Sequence, residues 1–236
     1  MIRLLRRDSE STHLVLMLAL TLSTGVIDAV GYLGLDRVFT GNMTGNVVIL
    51  GMALISGTGL PILGPVLALA GFMAGAAIAG RVLRDTKAAW SARTTAMFLT
   101  VGAVLIAAII VVVAWADPPH AVLLSVTASL GLAMGTQAAT ARNIAVKDVT
   151  TVVVTSTITG LAADALLGDR GVKLWKRRVA AIVLIGSGAA LGAALLQIDI
   201  AVGMAASALI TVTVAILGHL STIPSGQSGA EAADAS

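Results

Sequence analysis

The chain has 236 residues, 57% of them hydrophobic and only 11% charged, with a mean hydropathy of +0.98. That is too little polar surface to coat a water-soluble globule, so a soluble domain is excluded and lipid is the solvent. Aromatics make up 3%, cysteine is absent and the net charge of +3 sits in short basic loops, which disfavours an aromatic-girdled β-barrel, disulfides, thiolate metal sites and a nucleic-acid surface.

Residues 1–13 carry Arg3, Arg6 and Arg7 and precede an apolar run from Leu14 to Leu35. A span needs ~20 residues, more than the ~7–15 of a signal-peptide core, so this run reads as a first transmembrane helix. It contains Asp28, and acids inside such helices face a bundle interior or an aqueous path. The polar, glycine-punctuated stretch Asp36 to Asn46 follows. In lipid, a backbone that leaves the helix must be buried in protein or line a wet cavity. Val47 to Ile55 is apolar but too short to cross, and Ser56 to Pro61 breaks it.

Ile62 to Gly80 is a full span carrying Gly71 and Gly75, followed by Arg81, Arg84, Lys87 and Arg93. Thr94 to Trp115 spans next and stops at Asp117-Pro118-Pro119-His120. Ala121 to Ala141 holds Gly131, Gly135 and Gln137, with Arg142 just beyond. A threonine-rich stretch from Val149 to Leu167 carries Thr150, Thr151 and Asp164, and a basic loop from Arg170 to Arg178 comes after it. Val179 to Leu196 and Ile200 to Leu217 form a final hairpin around Asp199, and residues 219–236 have the composition of a disordered tail.

If Val47 to Ile55 and Val149 to Leu167 both crossed, the loop with Arg81, Arg84, Lys87 and Arg93 would lie opposite the basic N-terminus. If both are re-entrant, every lysine and arginine except Arg37 falls on one side, as the positive-inside rule demands. The expected fold is therefore an all-α membrane protein of about six transmembrane helices with two re-entrant or broken segments and both termini cytoplasmic. An ungapped comparison pairs Ser23 with Ser129, Gly25 with Gly131, Thr44 with Thr150, Val47 with Val153 and Val48 with Val154. Gly71 to Ala77 is echoed by Gly188 to Ala194. The membrane domain, 14–218, is thus expected to hold an inverted repeat of three spans each, 14–116 and 121–218, a transporter architecture.

Thr24-Gly25-x-x-Asp28-Ala29, Tyr32-Leu33-x-Leu35 and Val38-Phe39-x-Gly41-Asn42-Met43-Thr44-Gly45-Asn46 resemble the YoaK family, bacterial integral membrane proteins described as a domain of unknown function. The resemblance runs from about Leu14 to Leu217 and is looser in the second half, where Gln137, Arg142, Thr150, Thr151 and Thr159-Gly160 carry it. It implies a multi-span protein of about six helices in the inner membrane of a bacterium and names no substrate.

A helix starting near Asn42 to Asn46 points free N–H groups and about half a positive charge into the protein, a ready anion site. Asp148 to Thr151 offers a second start from the other side. The expected substrate or ion pathway is Asp28, Asn42, Thr44, Asn46, Gln137, Arg142, Thr150, Thr151 and Asp164, serving a transporter or channel for a small solute. The helix ends favour an anion, whereas Asp28 and Asp164 favour protons or cations. The alternative is a non-transporting membrane protein that acts through a partner, with Asn42 a plain helix cap and the threonines bonded to helix carbonyls. Asp28 is protonated, paired with a group such as Arg37 or Arg142, or functional. An enzyme is not expected. His13, His120 and His219 stand alone near span ends, no nucleophile elbow is present, and neither metal nor cofactor is implied. The bilayer is the certain partner, and the small-residue faces would suit a homodimer.

Overall fold

The structure, a computed structural model, describes residues 9–55, 59–86, 89–115, 117–144, 157–160, 162 and 169–222. Thr150, Thr151 and Asp164 lie outside the described residues, as does the expected second broken segment apart from 157–160 and 162, and so do residues 223–236 of the expected tail; its first four residues, 219–222, continue the last helix instead of being disordered. Within them the chain forms α1 (Ser9–Gly34), α2 (Met43–Ala53), α3 (Leu63–Val82), α4 (Ala92–Val113), α5 (His120–Ile144), α6 (Asp169–Leu196) and α7 (Ile200–Thr222). Six of these are long and apolar enough to cross a membrane; the 11-residue α2 is not.

Glycine determines which helices pair. A Cβ at Gly71 would strike the carbonyl of Ala128, and one at Gly75 that of Leu132, while Gly131 and Gly135 receive the carbonyls of Ala68 and Phe72. These four bare positions let the backbones of α3 and α5 touch, the usual basis of close helix association in lipid. The same device joins α1 to α6, where Gly25 faces Ile185 and Ala189, Gly188 faces Leu22, and Gly192 faces Val26. In both pairs the contacts climb together along the two helices, so each pair runs parallel. Helix α7 runs antiparallel to α1, since Ser23 meets Ser207 and Thr211 whereas Val30 meets Gly203.

The apolar core lies between α1, α4, α5 and α7. One cluster joins Ile27 and Val30 to Leu105, Leu130, Met134 and Met204, and a second joins Met17 and Leu20 to Phe98, Trp90 and Val214. Helices α3 and α6 flank this core. Accordingly 72% of the apolar stretch of α1 is buried and only 17% of that of α6.

Two ends are defined by side-chain contacts. Asp36, just past α1, lies 4.0 Å from His120 at the start of α5 and against Gly64 at the start of α3, where a Cβ would come within 2.9 Å of its Oδ2. Asp36 therefore sets the end of α1 beside the starts of α3 and α5. At the opposite end Asn143 donates to the Leu83 carbonyl (3.5 Å) and accepts from the Thr86 hydroxyl (3.1 Å), tying α5 to the end of α3. His13 stacks on Trp90 there, with ring centres 5.8 Å apart. Arg81, Arg84, Arg93 and Arg142 all belong to this second end.

Candidate functional site

The site begins with a reversal of direction. After α1 the chain turns through Arg37, whose φ of 48° is left-handed, and runs back along the helix it has just left. Gly31 makes the return possible, because a Cβ there would come 2.5 Å from the Val38 carbonyl oxygen and 2.9 Å from the Thr40 methyl. The returning strand brings its amides to Asp28, which is 8% exposed. Asp28 Oδ1 accepts from the amides of Thr40 (2.8 Å) and Gly41 (2.6 Å) and from the Thr40 hydroxyl (3.2 Å), and the Asn42 amide also faces the carboxylate. Successive amides converging on one point form a nest for an anion. Here the anion is the protein's own carboxylate.

The loop is closed on itself just beyond. Asn42 caps α2 by accepting from the Gly45 amide at 3.2 Å. Asn46 accepts from the Phe39 amide (2.9 Å) and donates to the Phe39 carbonyl (2.6 Å), imitating a strand pairing with a single side chain. Gly45 leaves room for the Phe39 ring, which stacks on Tyr32 with centres 4.9 Å apart. Of the amides expected to await a solute, those of Thr40 to Asn42 turn to Asp28 and that of Gly45 turns to Asn42. Asp28 is partnered by backbone, and no ion pair with Arg37 or Arg142 forms among the described residues.

Between the α1/α6 pair and the α3/α5 pair lies a cavity of about 1920 Å³. Asp28, Asn42, Thr44 and Arg142 line it, so four of the expected site residues meet there. Asn46 and Gln137 do not line it, and both are fully buried. Gln137 belongs instead to a network inside the bundle. Its amide donates to the Thr24 hydroxyl (3.2 Å) and accepts from Thr211 (3.3 Å), while Ser23 hydrogen-bonds Ser207 (2.8 Å) and Thr211 (3.2 Å). Thr24 is the link, for it also lines the cavity one helical turn from Asp28.

Arg84, Asn143, Tyr32 and Phe39 also line the cavity and were not singled out by sequence. A signal for Arg84 did exist. The glycine spacing shared by α3 and α5 fixes their register, and extending that register to the helix ends sets Arg84 beside Arg142. The register also gives the scale of the cavity. Gln137 meets Thr24, Asp28 lies four residues from Thr24 in one direction and Arg142 five from Gln137 in the other. The backbone levels of Asp28 and Arg142 are therefore ~13 Å apart along the bundle at 1.5 Å per residue.

Among the described residues no group of three His, Asp or Glu side chains is placed to hold a metal.

A similar protein, the UPF0700 transmembrane protein YoaK of Bacillus subtilis (strain 168), is 30% identical over 151 residues, which is 63% of this chain and 65% of that protein. The aligned stretch is thus a little under two thirds of the relative's length. No solved structure matches. The family model described as protein of unknown function (DUF1275) matches residues 16–217, a region that takes in most or all of each of the six long apolar helices, and the chain therefore belongs to that family of integral, multi-pass membrane proteins.

Proposed function

We propose that this protein is a transporter or channel for a small solute, with Asp28 as the group that holds and releases the 38–42 loop. The observation that carries the reading is the buried carboxylate at the wall of a large cavity, bonded to the amides of a non-helical loop and to the Thr40 hydroxyl within it rather than to a basic side chain. An ionised carboxylate accepts strongly from amides; a protonated one accepts weakly. Proton uptake at Asp28 therefore loosens the loop, and with it the Tyr32–Phe39 stack at the cavity wall. Loss of the proton draws the loop back.

The paired seams support an inverted repeat, with α2 a re-entrant segment. Exchanging α1 with α5 and α3 with α6 turns the contact of Gly71 with Ala128 into that of Gly188 with Leu22. It likewise turns Gly75 on Leu132 into Gly192 on Val26, and Gly25 on Ile185 into Gly131 on Ala68. Such repeats are a recurrent transporter design. The end bearing Arg81, Arg84, Arg93 and Arg142 is assigned to the cytoplasm by the positive-inside rule, which puts both termini there in a bacterial inner membrane. No catalytic role is part of the proposal. The glycine seams expected to offer a dimer face are filled within the chain, so a homodimer is not required.

The second reading, a static membrane protein acting through a partner, draws on the Gln137 network, whose members are hydrogen-bonded to one another on regular helices. The test is flux. Proteoliposomes containing a pH-sensitive dye, challenged with gradients of small acids and of inorganic cations, should show protein-dependent flux at least tenfold above empty vesicles, lost in Asp28→Asn. Flux that is absent for every solute, together with a cysteine at Asn42 that stays unlabelled from either side of the membrane at any pH, would sink the transport reading.

A further inference from the structure

The cavity is chemically lopsided. Its basic end is formed by Arg84, immediately after α3, and Arg142, in the last turn of α5. Their backbones are held side by side by the Asn143 bonds to Leu83 and Thr86. Neither guanidinium has an ion-pair partner among the described residues. The middle is apolar and small-walled, built from Phe72, Ala76, Ala138, Ile185 and Ala189. The far end is Asp28, the cavity's single acid among the described lining residues. Cations near the C-terminal ends of α3 and α5 also suit the helix dipoles. That role does not require both to line one cavity.

We propose that the cavity binds an amphiphilic anion, its carboxylate or phosphate group held by Arg84 and Arg142 and its apolar body lying along the middle toward Asp28. The inference shares its cavity with the transport reading but places the anion at the arginines, not at the start of α2. Paired guanidiniums recognise planar or tetrahedral acids in forked geometry. Repulsion from Asp28, its backbone level ~13 Å away along the bundle, fixes which way round the ligand lies. A cationic amphiphile of the same length is rejected at the arginine end, and a hydrophilic acid lacks the body that the apolar walls would bury.

The test uses the full chain in nanodiscs of phosphatidylcholine, with Ala139→Cys on the cavity wall as the one cysteine and its rate of maleimide labelling as readout. Octanoate and octyl phosphate should slow labelling in a saturable way, and octylammonium should not. Arg84→Gln and Arg142→Gln should each weaken protection roughly tenfold, with Arg84→Lys, which keeps the charge but not the fork, falling between wild type and Arg84→Gln. Both arginines are exposed, so the variants are expected to fold, which monodisperse elution confirms. If phosphatidylglycerol in the nanodisc alone slows labelling and the glutamine variants reverse this, the acid group is supplied by a lipid headgroup; if only the added solutes protect, by a soluble amphiphile. Equal protection by octylammonium, or undiminished protection by octanoate in the double variant R84Q/R142Q, overturns the proposal. No flux is read, so a failed transport reading leaves this result intact, and the reverse holds too.

Discussion

Two polar clusters lie one helical turn apart on α1, and they are held in opposite ways. Asp28 is partnered by backbone amides of an irregular loop, whereas Thr24 and Ser23 are partnered by side chains of α5 and α7. In the first, one charged atom gathers three hydrogen bonds, so a single proton changes the whole arrangement. In the second, neutral hydroxyls and one amide share their bonds among several acceptors on helices locked by glycine seams and apolar contacts, so no single event changes much. A buried polar group can therefore be a switch or a strut according to whether its partners belong to a segment that is free to move. The variants below separate the two.

The largest effect is expected at Asp28. Truncation in Asp28→Ala strands the buried amides of Thr40 and Gly41, at about 1–3 kcal/mol for each unsatisfied group. Asp28→Asn keeps a carbonyl acceptor in place and should cost about 1 kcal/mol. Thermal unfolding of the purified protein should rank wild type above the asparagine variant and that above the alanine variant. A cysteine at Asn42 should label fastest in the alanine background. If alanine and asparagine were equally stable, the amides of the loop would have another acceptor and Asp28 would not be what holds it.

Asn46 comes next, because it closes the same loop without carrying charge. Asn46→Ala removes both bonds to Phe39 from a fully buried position and should cost about 2 kcal/mol. Labelling at Asn42 should rise as it does in Asp28→Ala, since both changes free one loop. Combined with Asp28→Ala, its effect should be less than additive, because the two side chains secure one segment. Full additivity would mean that the two ends of the loop are held independently.

Much of the fold is legible in the residues, for a plain reason: a helix needs ~20 apolar residues to cross lipid, and runs of that length stand out in the sequence. Boundaries drift where lipid exerts no demand. Helix α6 starts at Asp169 rather than Val179, because lysine and arginine are good helix formers and the helix continues past the apolar stretch. Helix α2 starts at Met43, with Asn42 as its cap. The site was half legible. An acid in an apolar helix announces Asp28, but its partner does not show in the sequence, since every residue carries an amide and composition cannot say which will converge. Side-chain charge pointed to Arg37 or Arg142; the fold used Thr40 and Gly41 instead. Asn46 and Gln137 are polar residues in apolar surroundings, and sequence alone does not separate such a residue that lines a cavity from one that closes a loop or bridges helices.

The smallest effect, and the sharpest control on the comparison, is Gln137→Leu. Neither partner's hydroxyl proton depends on Gln137: Thr24 accepts from Gln137 but donates to the Leu20 carbonyl at 2.9 Å, and Thr211 has the Ser207 carbonyl at 2.9 Å as another acceptor. Hydrogen bonds between helices in lipid average about 0.6 kcal/mol, and leucine is close in size to the residue it replaces. Stability should therefore fall by no more than about 1 kcal/mol, and labelling at Asn42 should be unchanged, because the loop is held by Asp28 and Asn46 and not by the network behind them. A rise in labelling in Gln137→Leu matching that in Asn46→Ala would show that Thr24, shared by cavity and network, transmits between the two clusters. The strut would then be part of the switch.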